Sequence, residues 1–315
     1  MTILVAGATG LAGSAIYREL LNIGEKVVGI SSKDVDLLDR KATFEYLKYL
    51  KPKAVIDAAA KVGGISSNKN FPVEFLSENI QIQTNLIDAS HNADVAKFIF
   101  FASSCVYPKN CPQPIKEEYV LTGPLEPTNS AYAMAKLSGI ELIKSYRRQF
   151  GHKWISVMPT NLYGPNDNFD LESSHVFPAL IRKFIYAKHA GAKSVTLWGS
   201  GEPRRDFLHV DDLAKAILVC LEKYDSDQQI NIGTGLDLTI EELSMKIAKS
   251  VGFDGEVIWD TNREDGVPQK VLDIKKISNL GWKPSISLDE GIYLTVEWYL
   301  KNKLGELFCH LRKHL

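Results

Sequence analysis

The chain alternates short, β-branched apolar runs with longer amphipathic stretches, and this alternation constrains its fold most strongly. Five runs have the composition of buried strands: TILVAG, KVVGIS, AVIDAAA, FIFFAS and WISVMPT. Between them, helical spacing predicts helices at 11–23, 40–50, 73–93 and 131–150. Strands that alternate with helices predict an α/β fold with a doubly wound parallel sheet, helices covering both of its faces.

The pattern changes after about residue 165. SSHVFPALIRKFIYAK is typical of a helix, SVTLWGSG of a short strand and turn, DDLAKAILVCLEKY of a helix and INIGTG of a buried strand. Late helices are expected at 238–252 and 287–302. We therefore predict a Rossmann domain over residues 1–165, with return segments near 206–235. Residues 166–315 are expected to form mainly a smaller, interleaved α/β substrate lobe.

Composition and charge exclude several classes of function. Of the 315 residues, 45% are hydrophobic and 24% are charged, as in ordinary soluble proteins. A net charge of −1 provides no positive field for nucleic acid or anionic lipid. No apolar run approaches the roughly 18 residues of a membrane span. The first residues, MTILVAGATG, form a strand pattern without a basic segment, so we expect no signal peptide and a cytoplasmic protein.

The four cysteines are Cys105, Cys111, Cys220 and Cys309. Their spacing matches no metal-ligand pattern, and they are too sparse for a disulfide framework. We therefore expect reduced thiols and no metal site.

A glycine turn, VAGATGLAG, follows the first predicted strand, with the spacing G-x-x-G-x-x-G. Such a turn lets backbone amides and a helix N-terminus approach a pyrophosphate. A glycine turn between a strand and a helix can also be purely structural, but this position favours a dinucleotide site. The predicted cofactor contacts in the turn are Gly7, Ala8, Thr9, Gly10, Leu11, Ala12 and Gly13.

The second strand ends in GISSKDVDLLD. A cofactor with a free ribose 2′-hydroxyl usually meets an acidic side chain at this point. Here Ser31, Ser32 and Lys33 provide two hydroxyls and a cation, which suit a 2′-phosphate and favour NADP(H) over NAD. Asp34 and Asp36 are near enough to leave NAD open, and the stretch can also be an ordinary polar loop.

The segment SAYAMAK places Tyr132 and Lys136 one helical turn apart. An ammonium beside a phenol favours phenolate, so the pair is suited to acid–base chemistry at a carbonyl. Alone, the pair can be an exposed helix contact. Combined with the glycine turn and with Ser103 at the end of the fourth strand, it resembles the extended short-chain dehydrogenase/reductase family, which acts mostly on nucleotide sugars.

Further segments define a branch of that family: SSCVYPK, AAAKVGGI, EPTNSAYAMAK, VMPTNLYGPNDNF, SHVFPALIRKF and WGSGEPRRDFLHVDD. They closely resemble the GDP-L-fucose synthase family over nearly the whole chain. The resemblance implies a homodimer that converts GDP-4-keto-6-deoxy-D-mannose to GDP-L-fucose, by epimerisation at C3 and C5 and NADPH-dependent reduction at C4. One departure is Ala8-Thr9, where some members place an arginine, so phosphate recognition rests more on residues 31–33.

The resemblance also implies roles for single residues. Cys105 and His175 match the epimerisation pair, and the ordinary pKa values of thiol and imidazole, about 8.5 and about 6.5, are easily tuned toward neutrality. Taken alone, Cys105 can be a core filler and His175 a helix cap. Tyr132 would donate to the carbonyl oxygen, Ser103 would hydrogen-bond the same oxygen, and Lys136 would hold the nicotinamide ribose.

The remaining predicted contacts follow from the same resemblance. The cofactor contacts beyond the glycine turn and residues 31–33 are Ala102, Lys136, Pro159, Thr160, Asn161, Leu162 and His175. Asn161 can also be a turn former. The predicted substrate contacts are Lys183, Trp198 and Arg205, although Arg and Lys at a surface are usually solvated and Trp198 can be core. Lys61 and Asn166 are weaker candidates for sugar contacts.

Three other functions remain compatible with the sequence. A plain 4-reductase of the same family would not need Cys105 and His175. A 4-epimerase would hold its cofactor without net consumption. A non-catalytic NADP(H) sensor typically lacks the Tyr/Lys pair, which is intact here.

Overall fold

The computed structural model describes residues 2–263 and 265–311, with side chains as far as residue 303. The first half of the chain contains β1 (Thr2–Ala6), α1 (Leu11–Asn22), β2 (Lys26–Ile30), α2 (Arg40–Leu50), β3 (Ala54–Asp57), α3 (Ile65–Asn70), α4 (Pro72–Asn92), β4 (Lys97–Phe101), α5 (Ser130–Phe150) and β5 (Ile155–Pro159). The four helices predicted here lie within one residue of α1, α2, α4 and α5. The short α3 was not predicted.

The second half follows in the order β6 (Asn161–Tyr163), α6 (Val176–His189), β7 (Ser194–Trp198), β8 (Arg204–Arg205), β9 (Phe207–His209), α7 (Val210–Lys223), β10 (Ile230–Ile232), β11 (Leu238–Thr239), α8 (Ile240–Val251), β12 (Glu256–Asp260), β13 (Gln269–Lys270), α9 (Lys275–Asn279) and α10 (Leu288–Leu311). The side chain of Cys309 lies outside the described residues.

The central sheet has six strands in the order β10-β5-β4-β3-β1-β2. Every neighbouring pair in it is parallel. The predicted α/β class with a doubly wound parallel sheet is therefore confirmed. The carboxyl ends of β1 to β5 meet along one edge, which is where ligands bind in open sheets of this kind.

Two apolar layers cover the sheet. Alternate strand residues such as Val55 and Phe100 point to one face, where they join the core against α4 and α5. Their neighbours, such as Ile56 and Phe101, point to the other face, which α1 and α7 cover. The last turn of the α5 helix ends at Gly151 in the left-handed conformation, which stops the helix before β5.

A third core lies in the second lobe, between α6, α8 and α10. The pair β7–β12 is parallel, and the pair β8–β11 is antiparallel. A capping box formed by Thr239 and Glu242 fixes the start of α8. After β9 the chain returns to the central sheet through α7 and β10, and it then adds β11 and α8 to this lobe. Later in the chain, Ile277 and Trp282 pack into the core between the sheet, α1 and α7.

Across the described part of the chain, no helix combines the length and apolarity that crossing a membrane requires. Nor do the side chains of residues 2–263 and 265–303 bring together three or more His, Cys, Asp or Glu in a metal-binding group.

Candidate active site

The glycine turn between β1 and α1 is shaped for close approach of a ligand. Gly7 has φ +77°, a left-handed conformation that favours glycine, and a Cβ there would lie 2.8 Å from the Ala58 carbonyl oxygen. A Cβ on Gly13 would lie 2.1 Å from the Gly7 oxygen. The N-cap Gly10 has no side chain to occupy the first amides of α1. These amides are therefore available to phosphate oxygens, and the turn fits a dinucleotide.

At the tip of β2, the three predicted 2′-phosphate contacts differ in their surroundings. The backbone N–H and hydroxyl of Ser31 donate to the Asp34 carboxylate at 2.8 and 2.7 Å. These bonds, more than the nearby Lys33 charge, lower the pKa of Asp34. Ser32 and Lys33 are exposed. The hydroxyl of Ser31 is thus engaged, and a 2′-phosphate contact rests mainly on Ser32 and Lys33.

Tyr132 and Lys136 lie on the first two turns of α5. Lys136 is only 2% exposed, and its Nζ lies 4.9 Å from the centroid of the Phe100 ring. Burial raises the pKa of Tyr132 well above its usual value, with smaller contributions from the charges of Cys105 and Asp57. The expected lowering by Lys136 is not found, because desolvation dominates. The phenol is held protonated, the form that donates to a carbonyl oxygen.

Ser103 and Cys105 follow β4 directly. Cys105 lies in a 3₁₀ turn, Ser104–Val106, and its backbone N–H donates to the Ser103 hydroxyl oxygen at 3.3 Å. The thiol is 8% exposed. Burial raises its pKa, and the Ser103 hydrogen bond and the charges of Lys270 and Lys136 oppose that rise. Ser103, Cys105 and Lys136 therefore converge at the end of β4.

Lys270 is a residue of this site that sequence reasoning missed. It belongs to the two-residue strand β13, and burial lowers its pKa. Its charge acts on Cys105 and on His175, and the charge of Arg205 acts on it. The sequence offers no signal for it beyond one lysine in the apolar stretch GVPQKVL. The lysine reaches the site only because β13 pairs with β8.

His175 precedes α6 as its N-cap residue, but its side chain makes no capping hydrogen bond. The helix-cap interpretation is therefore not supported. His175 is exposed to solvent, yet protein atoms surround part of its side chain, and this partial desolvation, together with the Lys270 charge, lowers its pKa. At neutral pH the imidazole is neutral and able to accept a proton. The Gly64 backbone N–H donates to the Ser173 carbonyl oxygen at 2.9 Å, which ties the loop before His175 to the start of α3.

The predicted nicotinamide stretch, Pro159 to Leu162, joins β5 to β6. The Thr160 hydroxyl and the Asn161 amide both donate to the Asp206 carbonyl oxygen, at 3.1 and 2.8 Å. The Asp206 carboxylate accepts from the Thr234 hydroxyl at 2.6 Å, and burial raises the pKa of Asp206 to about 6. Asn161 thus has a structural task, which is to join the sheet edge to the second lobe. Ala102, at the end of β4, is buried.

The three predicted substrate contacts lie on the second lobe. Arg205 on β8 is partly buried, and burial lowers its pKa to about 10, against the opposing charges of Asp265 and Glu126. Lys183 donates to the Thr196 carbonyl at 3.1 Å. Trp198 is 47% exposed, so it is not core.

Near these residues lies a cleft of ≈ 710 Å³. Its lining includes Lys109, Glu126 and Ala131, the residue before Tyr132. It also includes Gly266, which approaches the Arg205 guanidinium. The cleft therefore leads from Arg205 toward the start of α5.

Three side chains near the predicted substrate contacts have partners that the sequence did not predict. Arg263, which was not predicted, lies over Trp198 with its guanidinium carbon 5.2 Å from the ring centroid. Lys61 forms an ion pair with Glu78 at 2.8 Å. Asn166, at φ +65°, donates to the Ser14 hydroxyl at 3.2 Å, across the first turn of α1. Lys61 and Asn166 therefore have partners within the protein, and a sugar contact would compete with them.

The glycine turn, the Tyr/Lys pair and the parallel sheet define a nucleotide-dependent enzyme of the short-chain type. The chain belongs to the NAD dependent epimerase/dehydratase family, whose model matches residues 3–233.

Curated relatives are similar over nearly the whole chain. GDP-L-fucose synthase 1 of Arabidopsis thaliana is 48% identical over 301 residues, covering 95% of this chain and 93% of the relative. GDP-L-fucose synthase of Escherichia coli K12 is 45% identical over 311 residues, covering 96% and 97%.

Solved structures have the same architecture. A GDP-6-OMe-4-keto-L-xylo-heptose reductase from C. jejuni has a TM-score of 0.90 at 33% identity, covering 96% of this chain and 98% of that one. A GDP-L-fucose synthetase from Naegleria fowleri bound to NADP has a TM-score of 0.88 at 33% identity, covering 96% and 93%.

Proposed function

We propose that this chain makes GDP-L-fucose from GDP-4-keto-6-deoxy-D-mannose, by epimerisation at C3 and C5 and reduction at C4 with NADPH. The observation that supports the proposal is that the charge of Lys270 acts on both Cys105 and His175, while Cys105 also acts on the Tyr132–Lys136 pair. A simple reductase needs the Tyr/Lys pair alone. The thiol and the imidazole add the two proton-transfer groups that inversion at carbon requires.

The epimerisation uses the acidity of hydrogens beside the 4-keto group. Removing a proton from C3 or C5 leaves negative charge on the C4 oxygen, where the protonated Tyr132 donates a hydrogen bond and Ser103 adds a second. Cys105 enters as a thiol and His175 as a neutral imidazole, so the pair holds one proton and one free base. Inversion follows when one group takes the proton from carbon and the other returns a proton to the opposite face.

The reduction uses the same oxygen. The glycine turn would hold NADPH, which would supply the hydride that C4 receives. Tyr132 then gives its proton to the C4 oxygen, and the Lys136 ammonium beside it stabilises the phenolate that remains. We also assign Lys136 to the nicotinamide ribose. Ser103 keeps the oxygen directed at Tyr132.

Cationic side chains are available to bind the nucleotide half of the substrate. Arg205 on β8 pairs with Lys270 on β13, and the Arg205 guanidinium lies beside the cleft at Gly266. Desolvation of the two cations strengthens their attraction for a diphosphate. Trp198, with Arg263 over its ring, presents an exposed indole face for packing against a base or sugar. Lys183 supplies a further positive charge for the substrate, although its ammonium already donates to the Thr196 carbonyl oxygen.

The test is incubation of the protein with GDP-4-keto-6-deoxy-D-mannose and NADPH in D₂O, with the product identified by NMR. The proposal expects GDP-L-fucose carrying deuterium at C3 and C5, with one NADPH consumed per sugar. A reduced sugar without deuterium at these carbons would indicate a plain 4-reductase. Turnover without net NADPH oxidation would indicate a 4-epimerase, and NADPH binding without turnover would indicate a sensor.

We also infer a homodimer that pairs through α4 and α5. Support comes from the exposed apolar side chains Val73 and Leu76 on α4 and Met134 on α5. Light scattering at micromolar concentration should give about twice the 35.1 kDa chain mass, and a monomer would contradict this inference.

The unpaired thiols of Cys105, Cys111 and Cys220 support a cytoplasmic location.

A further inference from the structure

A buried carboxylate that the proposed mechanism does not use lies near the Tyr132–Lys136 pair. Asp57, the last residue of β3, has no exposed surface. Its Oδ1 accepts a hydrogen bond from the Ala59 backbone N–H at 3.2 Å, while its Oδ2 has no hydrogen-bond partner among the described residues. A buried, ionised carboxylate with an unpartnered oxygen is costly unless a cation lies near it.

The sheet register shows which cation lies on the same face. Asp57 pairs with Phe100 on the parallel neighbour β4, so both side chains project from the same face of the sheet. That face packs against α4 and α5. The Phe100 ring lies 4.9 Å from Lys136 Nζ. The carboxylate from β3 and the ammonium from α5 are therefore both neighbours of Phe100, on one face of the sheet.

The charges of Asp57 and Lys136 affect each other's pKa values. Burial raises the pKa of Asp57 to about 6, and the positive charge of Lys136 opposes that rise. Burial lowers the pKa of Lys136, and the charges of Asp57 and then Cys105 oppose that fall. Tyr132, one turn away on α5, also feels the charge of Asp57. From α4 comes the neutral amide of Gln83, which donates to the Ala135 carbonyl at 2.6 Å.

We propose that Asp57 is a positioning residue for Lys136, supplying the counter-charge that keeps the buried ammonium protonated and directed toward Tyr132. The inference rests on the proposed function only through the task given to Lys136. Above about pH 6 the carboxylate is ionised and the ammonium is retained. The Asp57 carboxylate therefore extends the pH range in which Lys136 is protonated, from neutral toward alkaline pH.

The first test measures kcat/KM between pH 6.5 and pH 9 for the unmodified protein and for Asp57→Asn, which keeps the shape and removes the charge. Without the counter-charge Lys136 loses its proton at lower pH. The loss of activity should therefore grow with pH, from about 3-fold to about 30-fold, since one pKa unit corresponds to tenfold. A loss that is the same at every pH, or no loss, overturns the proposal.

Asp212→Asn is the matched control. Asp212 is also fully buried, but its carboxylate accepts from Ser285 and Ile286, far along the chain from this site. The control should lower stability and leave the shape of the pH profile unchanged. A profile shifted equally by both substitutions would show a general effect of a lost buried charge, and would overturn the specific role of Asp57.

The second test needs no turnover and so separates this inference from the proposed function. Lys136→Met leaves Asp57 without its cation, so Tm should fall more at pH 8, where Asp57 is ionised, than at pH 5, where it is mostly protonated. Adding Asp57→Leu should recover at least half of the loss at pH 8. If Lys136→Met fails to fold and the double variant folds, this result supports the pairing equally. Equal losses at both pH values, or no recovery, overturn the pairing even if GDP-L-fucose is formed. A coupled pair in a protein that makes no GDP-L-fucose would overturn the proposed function alone.

Discussion

The ammonium nitrogen of Lys136 lies 5.8 Å from the centroid of the Tyr132 ring, one helical turn away on α5. The phenol is protonated and partly buried, so it is ready to donate to a carbonyl oxygen but not to act as a free phenolate. Removing the hydroxyl removes the donor on which both epimerisation and reduction depend.

Tyr132→Phe should therefore lower kcat for NADPH oxidation by about 10²- to 10⁴-fold, the range expected for one acid–base group. The dissociation constant for NADPH, measured by fluorescence, should change little. Tyr146→Phe is the control, because the Tyr146 hydroxyl donates to Asp88 at the far end of the helix. A Tyr132→Phe enzyme as active as this control would remove Tyr132 from the mechanism.

Cys105→Ser tests the epimerisation pair. Serine keeps the size and hydrogen bonding but titrates far above neutrality, so it is a poor proton carrier. GDP-L-fucose formation should fall by about 100-fold or more, NADPH binding should be kept, and solvent deuterium at C3 and C5 should fall with the product. His175 substitution should give a related defect, with altered cofactor binding if the ring also touches the nicotinamide.

Cys111→Ser is the matched control for Cys105→Ser, because Cys111 lies in the same region and is partly buried. It should turn over at the unmodified rate. If Cys105→Ser also forms GDP-L-fucose at that rate, the thiol has only a packing role.

Lys33→Asp tests the cofactor preference. A 2′-phosphate bound by a charge-assisted contact should lose about 10-fold or more in affinity when the cation becomes an anion. The dissociation constants for NADPH and NADH should therefore converge in the variant, while NADPH binds more tightly to the unmodified protein. Equal constants in the unmodified protein would contradict the role given to residues 31–33.

Lys270→Met tests the residue that the sequence did not reveal. The positive charge of Lys270 helps to lower the pKa of His175 and opposes the rise at Cys105. Its loss should therefore raise both pKa values. The imidazole is then protonated at higher pH, so the acid limb of deuterium exchange at C3 and C5 should move to higher pH. KM for the nucleotide sugar should also rise, because one partly buried cation beside Arg205 is lost.

The control for this variant is Lys249→Met, an exposed lysine on α8. It should leave both the pH profile and KM unchanged. An unshifted acid limb with Lys270→Met would mean that the lysine does not act on His175.

The sequence was a good guide wherever function imposes a local pattern. The glycine turn, the Tyr/Lys pair and the strand ends were found because their spacing is set by backbone geometry within a few residues. Lys270 and Asp57 were missed for the opposite reason. Each is a single residue without a motif, and its surroundings come from segments far along the chain, β8 for Lys270 and α5 for Asp57. The direction of the Tyr132 pKa was also misjudged, since burial depends on packing that helical spacing does not contain.

The pairing of β10 with β5 also affects how the molecule is made. Residues 160–229 separate the two strands, and at about 5 to 20 residues per second their synthesis takes roughly 4 to 14 s. During that interval the nascent chain has five strands and an open, apolar edge at β5, the kind of edge that recruits other chains. Ribosome-bound intermediates of this length should therefore be the ones that chaperones bind, and premature termination before residue 230 should yield aggregates rather than a small nucleotide-binding protein.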